Sequence, residues 1–337
     1  MKNIRVWFNH WFSTAYHIIH LLKDDEYFNF VVVGSNTDSN CVYRAVCDEW
    51  VVEPKFDNSD KYVDYCLDFC KQHKIDVFAP RRNMLAISRR IAEFDAMNVL
   101  VLVERDYSLM SALFDKAKTY EMFTEAGIGY IPPHYVVKSV ESYQEAYKRL
   151  KTEENRVCIK FTVDEGAVSF RVIDDRIRYS LTSNNGAKIS YENSIKLLSE
   201  MEKFPSLIVM PYLSGPEVSV DCFAMPDGKH IAIPRYKSST RSETIQFEEE
   251  ILQTCQLFLD KFKLKCPCNL QFRYDHNTPY LLEVNTRMSG GTQLSCKATG
   301  VNIPNMAVNR LLGIEKQVSY NQKKRVVSFI ETPVILE

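Results

Sequence analysis

Short apolar runs alternate with segments of helical spacing through the first hundred residues. Residues 4–8 (Ile-Arg-Val-Trp-Phe) read as a strand and residues 14–22 as a helix. Residues 28–34 are again strand-like, and 60–73 carry apolar positions at helical spacing. Residues 75–79, 84–94 and 99–103 continue as strand, helix and strand. Strands alternating with helices predict a parallel sheet covered on both faces, a small doubly wound α/β domain. The first strand-to-helix turn, residues 9–14 (Asn-His-Trp-Phe-Ser-Thr), contains no glycine. The Gly-x-Gly-x-x-Gly fingerprint is therefore absent, and no NAD or FAD is expected there.

From residue 106 the pattern changes. Two helical segments, 106–114 and 115–126, end at Gly127 and lead into Pro132-Pro133, which reads as a domain connector. A strand (134–138), a helix (141–150) and strands at 157–161 and 169–173 follow, then a helix at 192–203. Longer, antiparallel-looking strands at 206–211, 217–224 and 229–237 precede a helix at 244–262 and a final hairpin. There is no internal repeat and no low-complexity segment. The start reads as a strand rather than a leader peptide, and apolar runs such as 99–103 are too short to span a bilayer.

Composition narrows the function. The 337 residues are 45% hydrophobic and 25% charged, as in a soluble globular protein. Lys plus Arg is 42 and Asp plus Glu is 43, a balance that argues against electrostatic nucleic-acid binding. Glycine is scarce at 11, where average usage would give about 24. A nucleotide site here has to hold phosphates largely with side chains. The ten cysteines sit mostly in apolar stretches. Cys66 with Cys70, or Cys266 with Cys268, share a face and offer a metal pair on paper, but buried reduced thiols are the better reading.

The most informative stretch is 268–287. Two alternating runs flank five turn-type residues, 275–279, which is a hairpin signal. That loop would set Tyr274 opposite Tyr280, Gln271 opposite Glu283 and Asn269 opposite Asn285. One face would carry Leu270, Phe272, Tyr274, Tyr280, Leu282 and Val284; the other, Asn269, Gln271, Arg273, Glu283, Asn285 and Arg287. Such a hairpin is either half-solvated with one wet face or a Mg²⁺–nucleotide platform. In the second reading Gln271, Glu283 and Asn285 supply oxygen ligands, and Arg287 is a fork-shaped donor to a phosphoryl oxygen or the substrate.

Residues 269–271, Glu283-Val284-Asn285-Thr286-Arg287, Ser289-Gly290-Gly291 and residues 295–300 together resemble the ATP-grasp enzymes. They look most like one synthetase half of the carbamoyl-phosphate synthase large subunit, in a short, stand-alone form. The resemblance implies a pre-ATP-grasp α/β domain (1–105), a helical connector (106–130), a first grasp lobe (131–207) and a second lobe with the metal hairpin (208–337). Asp115-Lys116 with Tyr120 resembles the family's entry helix, where Lys116 would contact phosphate. Lys160 falls where a basic residue grips the α- and β-phosphates. Residues 210–221 resemble the segment between the lobes, with Met210, Tyr212 and Leu213 at the adenine edge and Glu217 on the ribose. On the residues alone, Lys160 also reads as a solvated strand-end lysine, and Glu217 with Asp221 as a polar strand face.

Several positions depart from the family pattern. The phosphate loop, 162–169, has one glycine, Gly166, and two acids, Asp164 and Glu165. Pro211 stands where the family often has glutamate, and Gln271 replaces the commoner acidic ligand. The resemblance implies an ATP- and Mg²⁺-dependent carboxylate–amine (or ammonia) ligase acting through an acyl phosphate, with Mn²⁺ as an alternative ion. Bicarbonate or carbamate phosphorylation, and an ATP-binding sensor or assembly module without turnover, are the alternatives. No Cys-His glutaminase signature occurs among the seven histidines. Arg235, Lys237, Arg241 and Arg287 are candidates to hold the acceptor carboxylate and acyl phosphate, although 234–242 also reads as a solvated basic loop. Turn residues 10–14 and Arg81-Arg82 face the crevice at the strand ends. The expected partners are small carboxylate and amine substrates, with no nucleic acid and no membrane. The chain is expected in the cytoplasm, and a homodimer is compatible with it.

Overall fold

The computed structural model describes residues 1–166, 168–177, 186–238 and 241–336. By its internal contacts the chain divides into two compact units, each discontinuous in sequence. The first comprises Met1–Leu113, Glu217–Gln271 and Val284–Glu337; the second comprises Phe114–Pro216 and Phe272–Glu283.

The first unit opens with five parallel strands: β1 (Lys2–Asn9), β2 (Phe28–Asn36), β3 (Glu49–Val52), β4 (Val77–Ala79) and β5 (Leu100–Val101). Their order is β3-β2-β1-β4-β5, as a doubly wound sheet requires. Helices α1 (Ala15–Lys23), α2 (Ser59–Gln72), α3 (Met84–Arg89) and α4 (Ile91–Ala96) alternate with the strands, and α5 (Tyr107–Phe114) follows. Strand β1 explains the two-sided burial. Ile4, Val6 and Phe8 enter one core with Ile18, Ile19 and Leu22 of α1. Trp7 enters the other, stacked at 4.1 Å on both Phe69 and Phe78. The Asn58 side chain caps α2 by accepting from Asp60 and Lys61 N–H at 2.7 and 3.1 Å. The single helix expected over 84–94 is two, because Arg90 leaves helical geometry (φ −108°, ψ 23°).

The second unit begins with α6 (Lys116–Ala126), capped by the Asp115 side chain and ended by Gly127 at φ +65°. Its sheet joins β6 (Tyr135–Val137), β7 (Val157–Phe161), β8 (Arg171–Ile173), β9 (Lys188–Ile189) and β10 (Leu207–Pro211) in the order β6-β10-β7-β8-β9. Helices α7 (Val140–Leu150) and α8 (Tyr191–Ser199) pack on it through Tyr143, Tyr147 and Leu198. Val157 and Ile159 of β7 face that core, which puts Cys158 and Lys160 on the opposite face.

A third sheet has the order β15-β14-β11-β12-β13-β16. Its strands are β11 (Glu217–Phe223), β12 (Ile231–Lys237), β13 (Ser242–Ile245), β14 (Cys268–Asp275), β15 (Thr278–Asn285) and β16 (Arg325–Ser328). Helices α9 (Glu249–Phe262), α10 (Thr292–Thr299) and α11 (Ile303–Leu311) complete the chain. Phe223, Ile233 and Ile245 share one core with β1 and α1, so the first unit is a single packed body. The division between units passes through the β14–β15 hairpin.

Two expectations need correction. The helix expected over 244–262 starts at Glu249, and residues 242–245 are β13. The β-branched Ile245 is fully buried there, opposite Arg235 of β12. The hairpin loop is the two residues His276-Asn277, with His276 at φ 50°; Asp275, Thr278 and Pro279 belong to the strands. Shortening a loop by an odd number of residues exchanges the faces of one strand relative to the other. Accordingly Leu281 is fully buried while Tyr280 and Leu282 are partly exposed, until Val284 is buried again. The expected pairings of Gln271 with Glu283 and Asn269 with Asn285 rest on the longer loop and do not follow. In β14 the expected apolar set of Leu270, Phe272 and Tyr274 is buried.

Gly215 and Tyr274 make a close backbone approach in the second unit. Gly215 N–H donates to the Tyr274 carbonyl at 3.0 Å, and a Cβ at 215 would stand 2.6 Å from that oxygen. Gly215→Ala is expected to destabilise the protein by about 1–3 kcal/mol, read as a lower urea midpoint at unchanged m-value. An unchanged midpoint would contradict this packing.

Candidate functional site

In the second unit two lysines converge on the hairpin. Lys160, on the far face of β7, donates to the Leu282 carbonyl at 2.9 Å and to the Tyr120 hydroxyl at 3.1 Å. Tyr120 itself donates to Leu282 O at 3.0 Å. Lys160 is thus a buried ammonium, 7% exposed, rather than a solvated strand-end lysine. Burial pushes its pKa down, and the nearby Glu283 carboxylate works against that. Lys116, at the start of α6, lies 3.5 Å from Glu283 Oε2 and 2.5 Å from Asp164 Oδ1. Its ammonium also donates to the Asp164 carbonyl at 3.0 Å. The expected phosphate loop therefore balances part of its own acidity. Burial acts to raise the Asp164 carboxyl, but hydrogen bonds from Lys116 and Ser169 hold it below the ordinary value. Gly166 in this loop stands at φ 66°, where a side chain would be strained. Ala167 lies outside the described residues.

Around the expected adenine edge, Met210 and Leu213 are buried. The Tyr212 ring lies under two guanidinium groups, Arg156 at 4.6 Å and Arg273 at 5.2 Å. Tyr212 N–H is taken by the Arg156 carbonyl at 2.7 Å.

In the first unit, β-strand alternation puts Glu217, Ser219 and Asp221 of β11 on one face with Arg235 and Lys237 of β12 and Glu243 of β13. This is a polar strand face, but largely a buried one. Asp221 Oδ1 accepts from Ser289 Oγ (2.8 Å), Thr292 Oγ1 (3.0 Å) and Asn269 Nδ2 (3.1 Å). Its Oδ2 accepts from Arg235 Nε (2.9 Å) and Ser295 Oγ (2.6 Å). Burial alone would raise the Asp221 carboxyl; the Arg235 charge, then the Ser295 and Ser289 hydroxyls, hold it low. Arg235, fully buried, also pairs with Glu243 and donates to Ser219 and Ser289. A Cβ at Gly291 would fall 2.2 Å from its Nη1, so glycine is required for the close approach. Lys237 pairs across the strands with Glu217. Gln271 reaches Asn269 Oδ1 at 3.5 Å.

The structure thus groups Lys116, Lys160 and Glu283 in the second unit, with Gly166 on the Asp164 loop. It groups Arg235, Lys237, Glu217 and Gln271 on one face in the first. Asn285 and Arg287 also belong to the first unit, and the Arg287 guanidinium lies 5.3 Å from the Phe12 ring centroid. Arg241 pairs with Glu331 on the surface, while Ser239 and Thr240 of the basic stretch lie outside the described residues. Gln271, Glu283 and Asn285 each carry an oxygen donor of the kind Mg²⁺ takes, but the two-residue turn does not set Gln271 opposite Glu283. Among the described residues no group of three or more His, Cys, Asp or Glu forms a metal cluster. All ten cysteines are free thiols and eight are buried. Among the described residues no helix is long and apolar enough to cross a membrane. The residues that sequence reasoning missed are the hydroxyls around Asp221. Their one local signal is the three-residue spacing of Ser289, Thr292 and Ser295.

The Asp221 network makes a pH-dependent contribution. Its carboxyl titrates below the ordinary 3.8 in the fold, so the stability it adds is complete above that value and is lost as pH falls below it. Asp221→Asn is expected to cost about 1–3 kcal/mol at pH 7, since it leaves Arg235 with Glu243 as its remaining carboxylate and the buried donors around residue 221 imperfectly matched. Urea titrations should show the gap to wild type narrowing below pH 3.8; a pH-independent gap would contradict the assignment.

Comparison with known proteins follows the same lines. Residues 203–333 match the family model described as "ATP-grasp in the biosynthetic pathway with Ter operon". The carbamoyl phosphate synthase large chain of Clostridium acetobutylicum is 21% identical over 310 residues, 84% of this chain and 27% of that one. The chain therefore spans about a quarter of that relative's length. The biotin carboxylase domain of Hydrogenobacter thermophilus 2-oxoglutarate carboxylase, solved as a dimer with MgADP, ADP and bicarbonate, superimposes with a TM-score of 0.70 at 15% identity. That match covers 94% of this chain and 71% of that one. N5-carboxyaminoimidazole synthetase of Staphylococcus aureus, complexed with ADP, gives 0.69 at 14% identity, covering 97% and 82%. Residues 203–333 thus match an ATP-grasp family model, and the fold of the chain is similar to that of these solved structures.

Proposed function

We propose that this chain is an ATP- and Mg²⁺-dependent ligase that joins a carboxylate to an amine or ammonia. The observation that carries the reading is the pair of lysines, Lys116 and Lys160, held against the Leu282-Glu283 segment. Two ammonium groups beside a carboxylate and a backbone carbonyl suit a polyphosphate with its cation. Neighbours in fold were solved with ADP, one of them also as MgADP.

In this reading Lys116 releases Asp164 to take a phosphoryl oxygen, and Lys160 grips the α- and β-phosphates. Tyr212 and Leu213 border the adenine, and Glu217 reads the ribose. Gln271, Glu283 and Asn285 would hold Mg²⁺, which when bound would supply positive charge against the phosphoryl oxygens. Arg287 binds the acceptor carboxylate, and Lys237 supports the acyl phosphate. Arg235 acts from behind, fixing the Ser289–Gly291 loop that follows Arg287. The γ-phosphoryl group passes to a carboxylate oxygen and ADP leaves. The amine then attacks the acyl carbon, phosphate departs and the amine loses a proton. Positioning and charge stabilisation supply most of the acceleration. The likeness to the carbamoyl phosphate synthase large chain favours bicarbonate or carbamate as a second candidate acceptor.

Calorimetry with ATP and Mg²⁺ on the folded chain tests the nucleotide site. Saturable binding is expected, weakened about tenfold or more by Lys160→Ala, the loss of one charge-assisted contact. Glu283→Gln is expected to weaken the Mg²⁺ dependence of ADP release in an acceptor screen. Absence of ATP binding by wild type would sink the proposal; ATP binding without acceptor-dependent ADP release would leave a sensor.

A further inference from the structure

The third sheet ends on an open strand. β16 pairs with β13 from Ser242↔Ser328 to Ile245↔Arg325, and among the described residues no strand lies beyond it. Its outer row of backbone N–H and C=O groups is a template for a further strand, which proteins commonly blunt with charged side chains or proline. Residues 326–330 (Val-Val-Ser-Phe-Ile) contain neither. Val326 is 69% exposed, Ile330 86% and Phe329 44%, while Val327 leans on the core of the first unit. Single exposed hydrophobes need no explanation; three along one uncovered strand and its continuation mark an interaction surface.

The order of the residues selects the occupant. Lys323, Lys324 and Arg325 precede the apolar run, and Glu331 follows it. Laid antiparallel against a second copy about Ser328, the segment matches itself. Arg325 then stands opposite Glu331 of the second copy, Val326 opposite Ile330, Val327 opposite Phe329, and Ser328 opposite its own equivalent. A two-fold axis through the sheet keeps each residue on its own face, so only positions an even number apart oppose one another. The nearest permitted slips set Arg325 opposite Phe329, or Glu331 opposite Val327, and lose the charge match that stabilises cross-strand pairs. Both charged groups have capacity to spare. Arg325 uses Nη1 on the Ala298 carbonyl at 2.7 Å, and a guanidinium has further N–H donors. Glu331 pairs with Arg241 on the surface, both side chains well exposed, and a carboxylate accepts from more than one guanidinium. Pro333, which has no N–H to donate, bounds the pairable run.

We propose that the chain forms a two-fold dimer by antiparallel pairing of β16 and residues 329–331 with the same segment of a second copy. The contact is isologous, so it consumes the open edge and closes at two copies rather than growing into a fibre. One short strand from each side makes a small interface, and small interfaces sit at the weak end of the range. The dimer is therefore concentration-dependent, with a Kd in the micromolar range. None of this rests on the ligase reading.

The test is sedimentation of the full chain without nucleotide, from about 1 µM to about 200 µM, where a monomer–dimer equilibrium is expected. Ile330→Lys, at an 86% exposed side chain, is expected to weaken dimerisation about tenfold or more while leaving the urea midpoint unchanged. Arg325→Glu and Glu331→Arg, each alone, set like charges opposite one another at both ends of the pairing and are expected to stay monomeric where wild type dimerises. Mixed in equal amounts, the two variants oppose unlike charges at both ends, and dimer is expected to return. Wild type that remains monomeric throughout the range overturns the proposal. So does a dimer that persists undiminished in Ile330→Lys, which would belong to another surface. Charge variants that dimerise no better mixed than apart overturn it as well.

Discussion

A carboxylate sealed from water has to be filled with donors, and the Asp221 carboxylate organises the first unit on that condition. Five donors from four elements meet its two oxygens: Arg235 of β12, Asn269 of β14, Ser289 of the loop after β15, and Thr292 and Ser295 of α10. Each group left unpaired would bear its full desolvation cost, so the network favours one arrangement over partly satisfied ones. Arg235 is then not free to reach outward: its remaining donors go to Glu243, Ser219 and Ser289. The consequence travels along the chain. Ser289 lies two residues after Arg287, so the backbone that presents Arg287 is pinned by a charge buried in the sheet below it.

The second unit solves the mirror problem, a buried cation. Lys160 is held by an aromatic hydroxyl and a main-chain carbonyl rather than by a direct ion pair. Neutral partners leave the charge of this ammonium uncompensated by a direct contact, whereas a tight carboxylate partner would neutralise it. Lys116 has such a partner in Asp164, and the difference separates the two lysines. One is preorganised by neutral groups; the other is exchangeable with its own loop. A glycine-poor loop with two acids looks unfit for phosphate in sequence, yet in the fold one of those acids is already neutralised.

Much of this was legible in the sequence where the signal is local. The alternation in 157–161 gives β7 to the residue, and the β/α alternation gives the parallel sheet with its order reversal. The final hairpin was visible, but its turn was not. Asp275, Thr278 and Pro279 are turn-type residues by composition, while the chain reverses in two residues because His276 adopts left-handed backbone. The resulting change of register moved Leu281 rather than Leu282 into the core. Asp221 illustrates a different limit. Its polar face follows from alternation with Glu217 and Ser219, but whether that face is wet or dry depends on hydroxyls about seventy residues away. Likewise Glu53 carries no motif; β2 and α2 bring Ser35 and Tyr62 to it.

The scarcity of glycine now has a structural counterpart. Left-handed backbone at a strand end is usually left to glycine, since a side chain costs roughly 1–2 kcal/mol there. Here His10, Asn83 and His276 occupy such positions; His and Asn are among the side chains that tolerate them best. At residue 10 the strain is sustained by a backbone hydrogen bond to the Ser35 carbonyl at 3.0 Å and by the imidazole contact with Glu53. A glycine would relax the turn and remove the ring that stands between Glu53 and Arg82. Glycine-rich sites recognise anions with bare backbone amides. This chain instead keeps side chains at its turns, and His10 there stands between a buried carboxylate and a guanidinium group.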